Sequence, residues 1–119
     1  MNILVTGGCG FVGRHLISEL LKKKYNKVTC VDPIYKYTGG LDPNNWPFIN
    51  PKNYKNFKFL KQDCRHFFSK NKNRFDKIYH LAAIVGGRMM IDYNPLAVAE
   101  DLAIDSSMWN FAKKNKKIK

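Results

Sequence analysis

The sequence contains few cysteines, and it has no long apolar run. Cys9, Cys30 and Cys64 are odd in number and show neither a Cys-x-x-Cys nor a Cys/His ligand spacing. We therefore expect small buried side chains in a reducing environment and no metal site. No apolar run approaches the roughly twenty residues of a membrane span, and the N-terminal apolar stretch is cut by glycines and lacks a basic leader. These absences predict a cytoplasmic protein with no membrane partner.

Acidic residues are also scarce, and their scarcity makes the chain strongly basic. Nine Asp and Glu residues face 21 Lys and Arg residues, which gives a net charge of +12. Such a charge can indicate a nucleic-acid partner. However, only four residues are arginine, the lysines are scattered, and the runs at 22–24 and 113–117 suit solvated helix ends. We therefore favour a small anionic ligand, with a non-enzymatic anion- or nucleic-acid-binding protein and a relic truncated product as alternatives.

The first fourteen residues predict a strand, a glycine turn and a helix. Ile3–Val5 is a short apolar run, and the apolar positions of Phe11–Leu21 follow one helical face. Gly7, Gly10 and Gly13 lie between and within these elements. A helix that begins at such a turn can hold a pyrophosphate on its free N–H groups, provided that the backbone approaches closely. The pattern predicts a dinucleotide site that includes Gly7, Gly10, Phe11, Val12 and Gly13.

The rest of the chain alternates between apolar and helical patterns. We predict strands at 27–32, 57–63 and 77–83, helices at 65–70 and from Pro95 through Ala112, and a long polar loop at 33–55 with short helical turns. Strand and helix would alternate four times. This order predicts one α/β domain over residues 1–119, with a Rossmann-like parallel sheet of about four strands and helices on both faces.

Asp32 lies nineteen residues beyond Gly13, at the predicted end of the second strand. At this distance an acidic residue can accept hydrogen bonds from the adenosine ribose of NAD, and its charge would repel the extra phosphate of NADP. Pro33, not an arginine, follows it. The predicted cofactor is therefore NAD, with NADP less favoured.

Four motifs in order resemble the extended short-chain dehydrogenase/reductase family, which includes nucleotide-sugar epimerases and dehydratases. They are Thr6–Gly13, Asp32, Asp63–Arg65 and His80–Ala83. The resemblance covers the whole chain. The run Ala82–Gly87, followed by Asn94-Pro95, looks most like the GDP-fucose synthase branch.

The resemblance implies further site residues. Asp63 would face the adenine amino group and the Cys64 N–H a ring nitrogen, while Leu81, Ala82 and Ala83 would line the cofactor. Gly86, Gly87 and Arg88 would follow in a loop near a nucleotide-sugar substrate. His80 receives no catalytic role, and Asp101 occupies a helical position near which many members carry Asn.

The catalytic motif of the family is not found in this sequence. The resemblance implies a catalytic Tyr-x-x-x-Lys pair on the fifth strand and the helix after it. In this sequence, residues 116–119 look like only the first residues of that strand. Tyr54 and Lys58 match the spacing only in a loop that runs into a strand, which we interpret as coincidence. We therefore expect an NAD-binding module, truncated before the fifth strand, with no catalytic residues and no activity alone. Another copy, or a chain supplying the C-terminal half, would complete it.

Overall fold

The structure is a computed structural model that describes residues 1–85, 88–115 and 118. Within these residues, four strands form one parallel sheet in the order β3-β2-β1-β4. The strands are β1 (Asn2–Thr6), β2 (Lys27–Val31), β3 (Phe57–Leu60) and β4 (Lys77–His80). The predicted α/β class, the parallel sheet and the number of strands are confirmed. The expected start of a fifth strand at 116–119 lies outside the described residues apart from Ile118.

Four α-helices accompany the sheet in the described part of the chain. They are α1 (Phe11–Leu21), α2 (Cys64–Lys70), α3 (Arg88–Tyr93) and α4 (Pro95–Lys114). The predicted fourfold alternation of strand and helix is wrong between β2 and β3, where the described chain forms three 3-10 turns in place of an α-helix. The expected long loop with short helical turns is confirmed there.

The sheet is covered on both faces, as predicted. One face packs against α1 and the long loop, and its core contains Ile3, Val5, Ile17, Val28, Cys30 and Trp46. The other face packs against α2 and α4, and its core contains Leu4, Val31, Phe67, Phe68, Ile104 and Phe111. This alternation along each strand follows from the opposite directions of successive side chains.

Side-chain caps explain where α2 and α4 begin. Asp63 accepts a hydrogen bond from the Arg65 N–H at 2.8 Å, and Asn94 accepts one from the Ala97 N–H at 3.2 Å, with Pro95 in the first helical position. Both residues are good N-caps because a short side-chain oxygen satisfies an N–H that has no partner within the helix. As a result Asp63 does not extend β3, which ends three residues earlier than predicted.

Trp46 anchors the long loop to the body of the domain. Its side chain is only 5% exposed, and its indole N–H donates to the Leu41 carbonyl at 3.0 Å. Phe48 stacks on His15 with a ring separation of 4.4 Å. Aromatic burial therefore holds in place a segment that lacks regular hydrogen bonding. Among the described residues, no helix combines the length and apolar character needed to cross a membrane.

Candidate functional site

A crevice of about 400 Å³ opens at the carboxyl edge of the sheet. Because all four strands are parallel, the residues that follow β1, β2 and β4 meet at this edge, beside the first turn of α2. The crevice is lined by these predicted cofactor residues: Gly7, Gly10, Asp32, Asp63, Cys64, Leu81, Ala82 and Ala83. Its position is the one at which ligands bind in open parallel α/β sheets, and its volume suits a small-molecule ligand.

Gly7 and Gly13 are required by contacts within the protein. Gly7 has a φ of +69°, and a Cβ there would lie 2.5 Å from the Ala82 nitrogen. A Cβ at Gly13 would lie 2.5 Å from the Gly7 oxygen and 2.6 Å from the Gly8 Cα. The turn therefore closes tightly onto both α1 and the end of β4. We expected Gly13 to allow helix and strand to approach, and the structure shows that the close contact is with the turn itself.

Gly10 differs from the other two glycines because an added Cβ would have one close contact within the protein instead of several severe ones. Its φ of −69° is ordinary, and an added Cβ would meet only the Gly7 oxygen, at 3.3 Å. Gly10 precedes the first helical residue, so the free N–H groups of the first turn of α1 begin here. Phe11 and Val12 follow with exposed fractions of 69% and 63%, but their side chains do not line the crevice.

Asp32 ties the glycine turn to the end of β2. Its Oδ2 accepts a hydrogen bond from the Cys9 N–H at 3.0 Å, and its Oδ1 accepts one from the Ile34 N–H at 2.7 Å. The side chain is nearly buried but borders the crevice. Burial raises the pKa of this carboxyl, while the two N–H donors act in the opposite direction. Asp32 thus has a structural role in addition to the predicted contact with a ribose.

Asp63 is held by Arg65 at the opposite wall of the crevice. The Arg65 guanidinium donates to Asp63 Oδ1 at 3.1 Å and to Oδ2 at 2.8 Å. These charge-assisted bonds lower the pKa of Asp63. Cys64 is the first residue of α2 and is buried, and desolvation raises the pKa of its thiol to about 11. Arg65 also lines the crevice, although it was not predicted as a site residue.

Two hydrogen bonds fix the segment that follows β4. The Leu81 N–H donates to the Thr6 carbonyl at 3.0 Å, which continues the β1–β4 ladder. The Ile84 N–H donates to Asp101 Oδ1 at 2.7 Å. Asp101 thus supplies a carbonyl-type acceptor, which an Asn side chain also has. Residues 81–84 are thereby held against the crevice although β4 ends at His80, three residues before its predicted end.

His80 links the sheet to α4 below the crevice. Its Nδ1 lies 2.6 Å from Thr6 Oγ1, and its Nε2 lies 3.4 Å from a carboxylate oxygen of Asp105. Burial lowers the pKa of His80. The imidazole is not among the residues that line the crevice.

The predicted substrate residues fall partly outside the structure. Gly86 and Gly87 lie outside the described residues. Arg88, predicted to lie in a loop, is instead the first residue of α3, where its guanidinium lies 3.5 Å from the Asp92 carboxylate one turn later. This i,i+4 pair supports the helix, and the Arg88 side chain is 93% exposed. Its substrate role stays a prediction.

Several residues of the crevice were not predicted from the sequence. Besides Arg65, they include Tyr35, Tyr37 and Thr38 from the long loop and Glu100 and Ile104 from α4. The rings of Tyr35 and Tyr37 stack with a centroid separation of 5.3 Å. Two tyrosines shortly after Asp32 were a detectable signal for an aromatic wall. The approach of α4 depends on tertiary packing that no local pattern specifies.

Tyr54 and Lys58 are far from a catalytic arrangement. Tyr54 follows a 3-10 turn, and Lys58 lies in β3. Lys58 lines a different cleft, at the amino ends of β2 and β3. The geometry of one helical turn that would pair the two side chains is absent from this part of the described chain.

The fold and the glycine turn define a Rossmann-like domain, and comparison with known proteins identifies its family. The chain belongs to the NAD-dependent epimerase/dehydratase family, whose profile matches residues 3–119. The predicted resemblance is therefore confirmed at the level of the family.

Individual relatives act on nucleotide sugars according to their names. An uncharacterized UDP-glucose epimerase, YtcB, of Bacillus subtilis is 39% identical over an alignment of 92 residues that covers 74% of this chain and 28% of that protein. A UDP-N-acetylglucosamine 4-epimerase from Methanobrevibacter ruminantium M1, solved with UDP-N-acetylmuramic acid, superposes with a TM-score of 0.74 at 26% identity, covering 97% of this chain and 34% of that one. A UDP-glucuronic acid 4-epimerase from Bacillus cereus, solved with UDP-glucuronic acid and NAD, gives 0.66 at 26%, covering 95% and 36%.

This chain thus spans about a third of the length of the proteins it resembles. The names of these three relatives are those of UDP-sugar enzymes. They give no support to the GDP-fucose synthase branch, which stays a prediction.

Proposed function

We propose that this chain binds NAD in the crevice, as the cofactor-binding part of a nucleotide-sugar epimerase or dehydratase. The observation that carries the proposal is the glycine turn, which opens the start of α1 toward a crevice bordered by Asp32 and the segment 81–83. Family membership and relatives solved with NAD support it. When bound, NAD would supply a hydride acceptor for the sugar.

The residues of the crevice fit such a cofactor. Gly10 leaves the first turn of α1 open to a pyrophosphate. Asp32 keeps lone pairs beyond its two N–H partners and so can accept from a ribose hydroxyl. Leu81, Ala82 and the tyrosine pair offer apolar and aromatic surface for the flat rings.

Calorimetric titration with NAD tests the proposal, with Gly10→Ala as the diagnostic variant. A methyl group at position 10 meets little of the protein but occupies the space through which a phosphate would approach. We expect Gly10→Ala to weaken NAD binding at least about tenfold, roughly 1.4 kcal/mol, while the unfolding temperature changes little. A folded chain that binds no NAD would refute the proposal.

We further propose that the cofactor is NAD in preference to NADP, because the Asp32 carboxylate would repel a ribose phosphate. Asp32→Asn keeps the shape of the side chain and one acceptor oxygen while it removes the charge. It should narrow the difference between the NAD and NADP dissociation constants. An unchanged ratio in the same titration would show that Asp32 does not discriminate between them.

We also propose that the chain alone has no turnover and that a nucleotide sugar is the substrate of the complete enzyme. The support is the position of Tyr54 and Lys58 away from the crevice and the UDP-sugar names of the relatives. Turnover of UDP-glucose by the purified chain would contradict this. The three free, buried cysteines support a reducing, cytoplasmic setting.

Self-association, or a partner chain that covers α4, is the last part of the proposal. α4 exposes Leu96, Leu102 and Trp109 by 76%, 66% and 65%. Exposed apolar surface of this kind favours a covering partner. Sedimentation at tens of micromolar should show more than a monomer, and a stable monomer without a partner would count against it.

A further inference from the structure

A second cleft lies at the opposite edge of the sheet, where β2 and β3 begin. It measures about 370 Å³, and its lining contains four lysines, Lys24, Lys27, Lys55 and Lys58. The other lining residues are Val28, Thr29, Asn56 and Phe57. Among the residues that the structure describes, no acidic side chain lines the cleft.

Two segments about thirty residues apart form this cleft. The Val28 N–H donates to the Asn56 carbonyl at 2.8 Å, and the Asn56 side-chain amide donates to the Asn26 carbonyl, also at 2.8 Å. These bonds align 24–28 with 55–58. Lysines that are scattered in the sequence are thereby gathered at one place.

The strand register directs two of these lysines to the same side. Thr29 of β2 pairs with Lys58 of β3, and Lys27 shares the face of Thr29 because side chains alternate along a strand. Lys27 and Lys58 are both exposed. Like charges on adjacent strands repel, and an anion bound between them would relieve that repulsion.

Two exposed tyrosines are sequence neighbours of these lysines and flank the residues that line the cleft. Tyr25, beside Lys24, is 64% exposed, and Tyr54, beside Lys55, is 38% exposed. Aromatic side chains among lysines are the combination that binds single-stranded nucleic acid, since bases stack on the rings while the cations contact phosphates.

We propose that this cleft is a binding site for single-stranded nucleic acid, separate from the cofactor crevice. The two sites differ in charge. The crevice is lined by three carboxylates, those of Asp32, Asp63 and Glu100, and by one cation, Arg65, whereas the charged residues that line the cleft in the described part of the chain are all cations. A polyanion is therefore attracted to the amino edge of β2 and β3, and NAD can occupy the crevice at the same time.

Fluorescence anisotropy with a labelled oligouridylate of about twelve nucleotides tests this site. The variant carries Lys24→Gln, Lys27→Gln, Lys55→Gln and Lys58→Gln. Its matched control carries Lys61→Gln, Lys72→Gln, Lys113→Gln and Lys114→Gln, four exposed lysines outside the cleft, so that both variants have the same net charge. We expect the cleft variant to bind at least about tenfold more weakly than the control. The plot of the logarithm of the association constant against the logarithm of the salt concentration has a negative slope. The magnitude of that slope should decrease by about 0.7 for each phosphate that the variant no longer neutralises.

A second variant separates nucleic acid from other polyanions. Tyr25→Leu with Tyr54→Leu should weaken oligouridylate binding severalfold and leave binding of inorganic polyphosphate unchanged.

Equal weakening of oligouridylate binding by the cleft and control variants would overturn the proposal, because it would show that binding follows the net charge of the protein. Polyphosphate binding as tight as oligouridylate binding, with no effect of the tyrosine changes, would also overturn it. Circular dichroism of each variant verifies folding. If the fourfold variant does not fold, Lys27→Gln with Lys58→Gln replaces it, with Lys61→Gln and Lys113→Gln as its control.

Discussion

Two carboxylates of the crevice lie in opposite electrostatic environments. Asp32 is nearly buried and accepts its hydrogen bonds from backbone N–H groups, so desolvation raises its pKa. Asp63 forms an ion pair with Arg65, which lowers its pKa. The pKa values of the two residues therefore shift in opposite directions, although both side chains lie at the carboxyl edge of the sheet.

The Asp63–Arg65 pair predicts a pH-dependent contribution to stability. The folded-state pKa of Asp63 lies below its unfolded value of about 3.9, so its contribution is present above that pH and is lost as pH falls through the folded pKa. Asp63→Asn keeps an N-cap acceptor and removes only the charge. We expect it to cost up to about 1 kcal/mol at pH 7, since the pair is partly exposed, and less at pH 2.

Urea unfolding at the two pH values measures this difference. Asp63→Ala also removes the N-cap of α2 and should cost roughly 1 kcal/mol more than Asp63→Asn at pH 7. A cost of Asp63→Asn that is equal at both pH values would contradict an ionic contribution.

At the scale of single residues, the sequence identifies glycines that the fold requires, but it does not show the contacts that require them. Gly7 and Gly13 are recognisable by their spacing. The clash that excludes a side chain at Gly7 is with residues 81–82, more than seventy positions away, and no local pattern contains it. The partners of Asp32 were likewise not predictable from the sequence, because the Cys9 and Ile34 N–H groups are brought to it by the turn and the loop.

At the scale of elements, α4 has two apolar faces that differ in burial. Ile104 and Phe111 are buried against α2 and the sheet. Leu102 and Trp109 are exposed. The Phe111 ring lies 5.1 Å from that of Phe68 and between 6.4 and 6.5 Å from those of Phe67 and Phe75. Removal of Phe111 therefore empties the centre of an aromatic cluster.

Phe111→Ala and Trp109→Ala form a matched pair of aromatic truncations on this helix. We expect Phe111→Ala to lower the free energy of unfolding by about 3–5 kcal/mol. Trp109→Ala should change it by less than about 1 kcal/mol in the monomer, and it should weaken any self-association through the exposed face. Chemical denaturation at low protein concentration measures both, and equal losses would contradict the assignment of the two faces.

The elements were predictable where their pattern is local. β1, α1, β2 and α4 were predicted within a few residues, because periodicity, glycine and Pro95 mark their ends. β3 and β4 are shorter than predicted. Asp63 caps α2 instead of extending β3, and the ladder between β4 and β1 ends at the bond from the Leu81 N–H to the Thr6 carbonyl. α3 was missed because six residues, Arg88–Tyr93, are too few to show a helical period.

At the scale of the whole molecule, charge is separated between the two edges of the sheet. Carboxylates border the crevice at the carboxyl edge, and lysines line the cleft at the amino edge. The net charge of +12 therefore does not describe either site. Nucleic acid was disfavoured in the sequence because the lysines looked scattered, and the fold is what gathers four of them.

Family membership supports the proposal that the crevice at the carboxyl edge binds a cofactor. The chain matches the NAD-dependent epimerase/dehydratase profile over residues 3–119 but spans about a third of its relatives' lengths. Cofactor binding is the part of the proposed function that can be tested on this chain alone, because the structure describes the residues that line the crevice.

The most direct test is an NMR titration of the isotope-labelled chain with NAD. We predict that amide signals of Gly7, Cys9, Gly10 and residues 81–83 shift together with one dissociation constant, while those of Lys27 and Lys58 at the amino edge stay unchanged. Absence of shifts in a folded protein, or shifts confined to the lysine cleft, would contradict a cofactor site at the glycine turn.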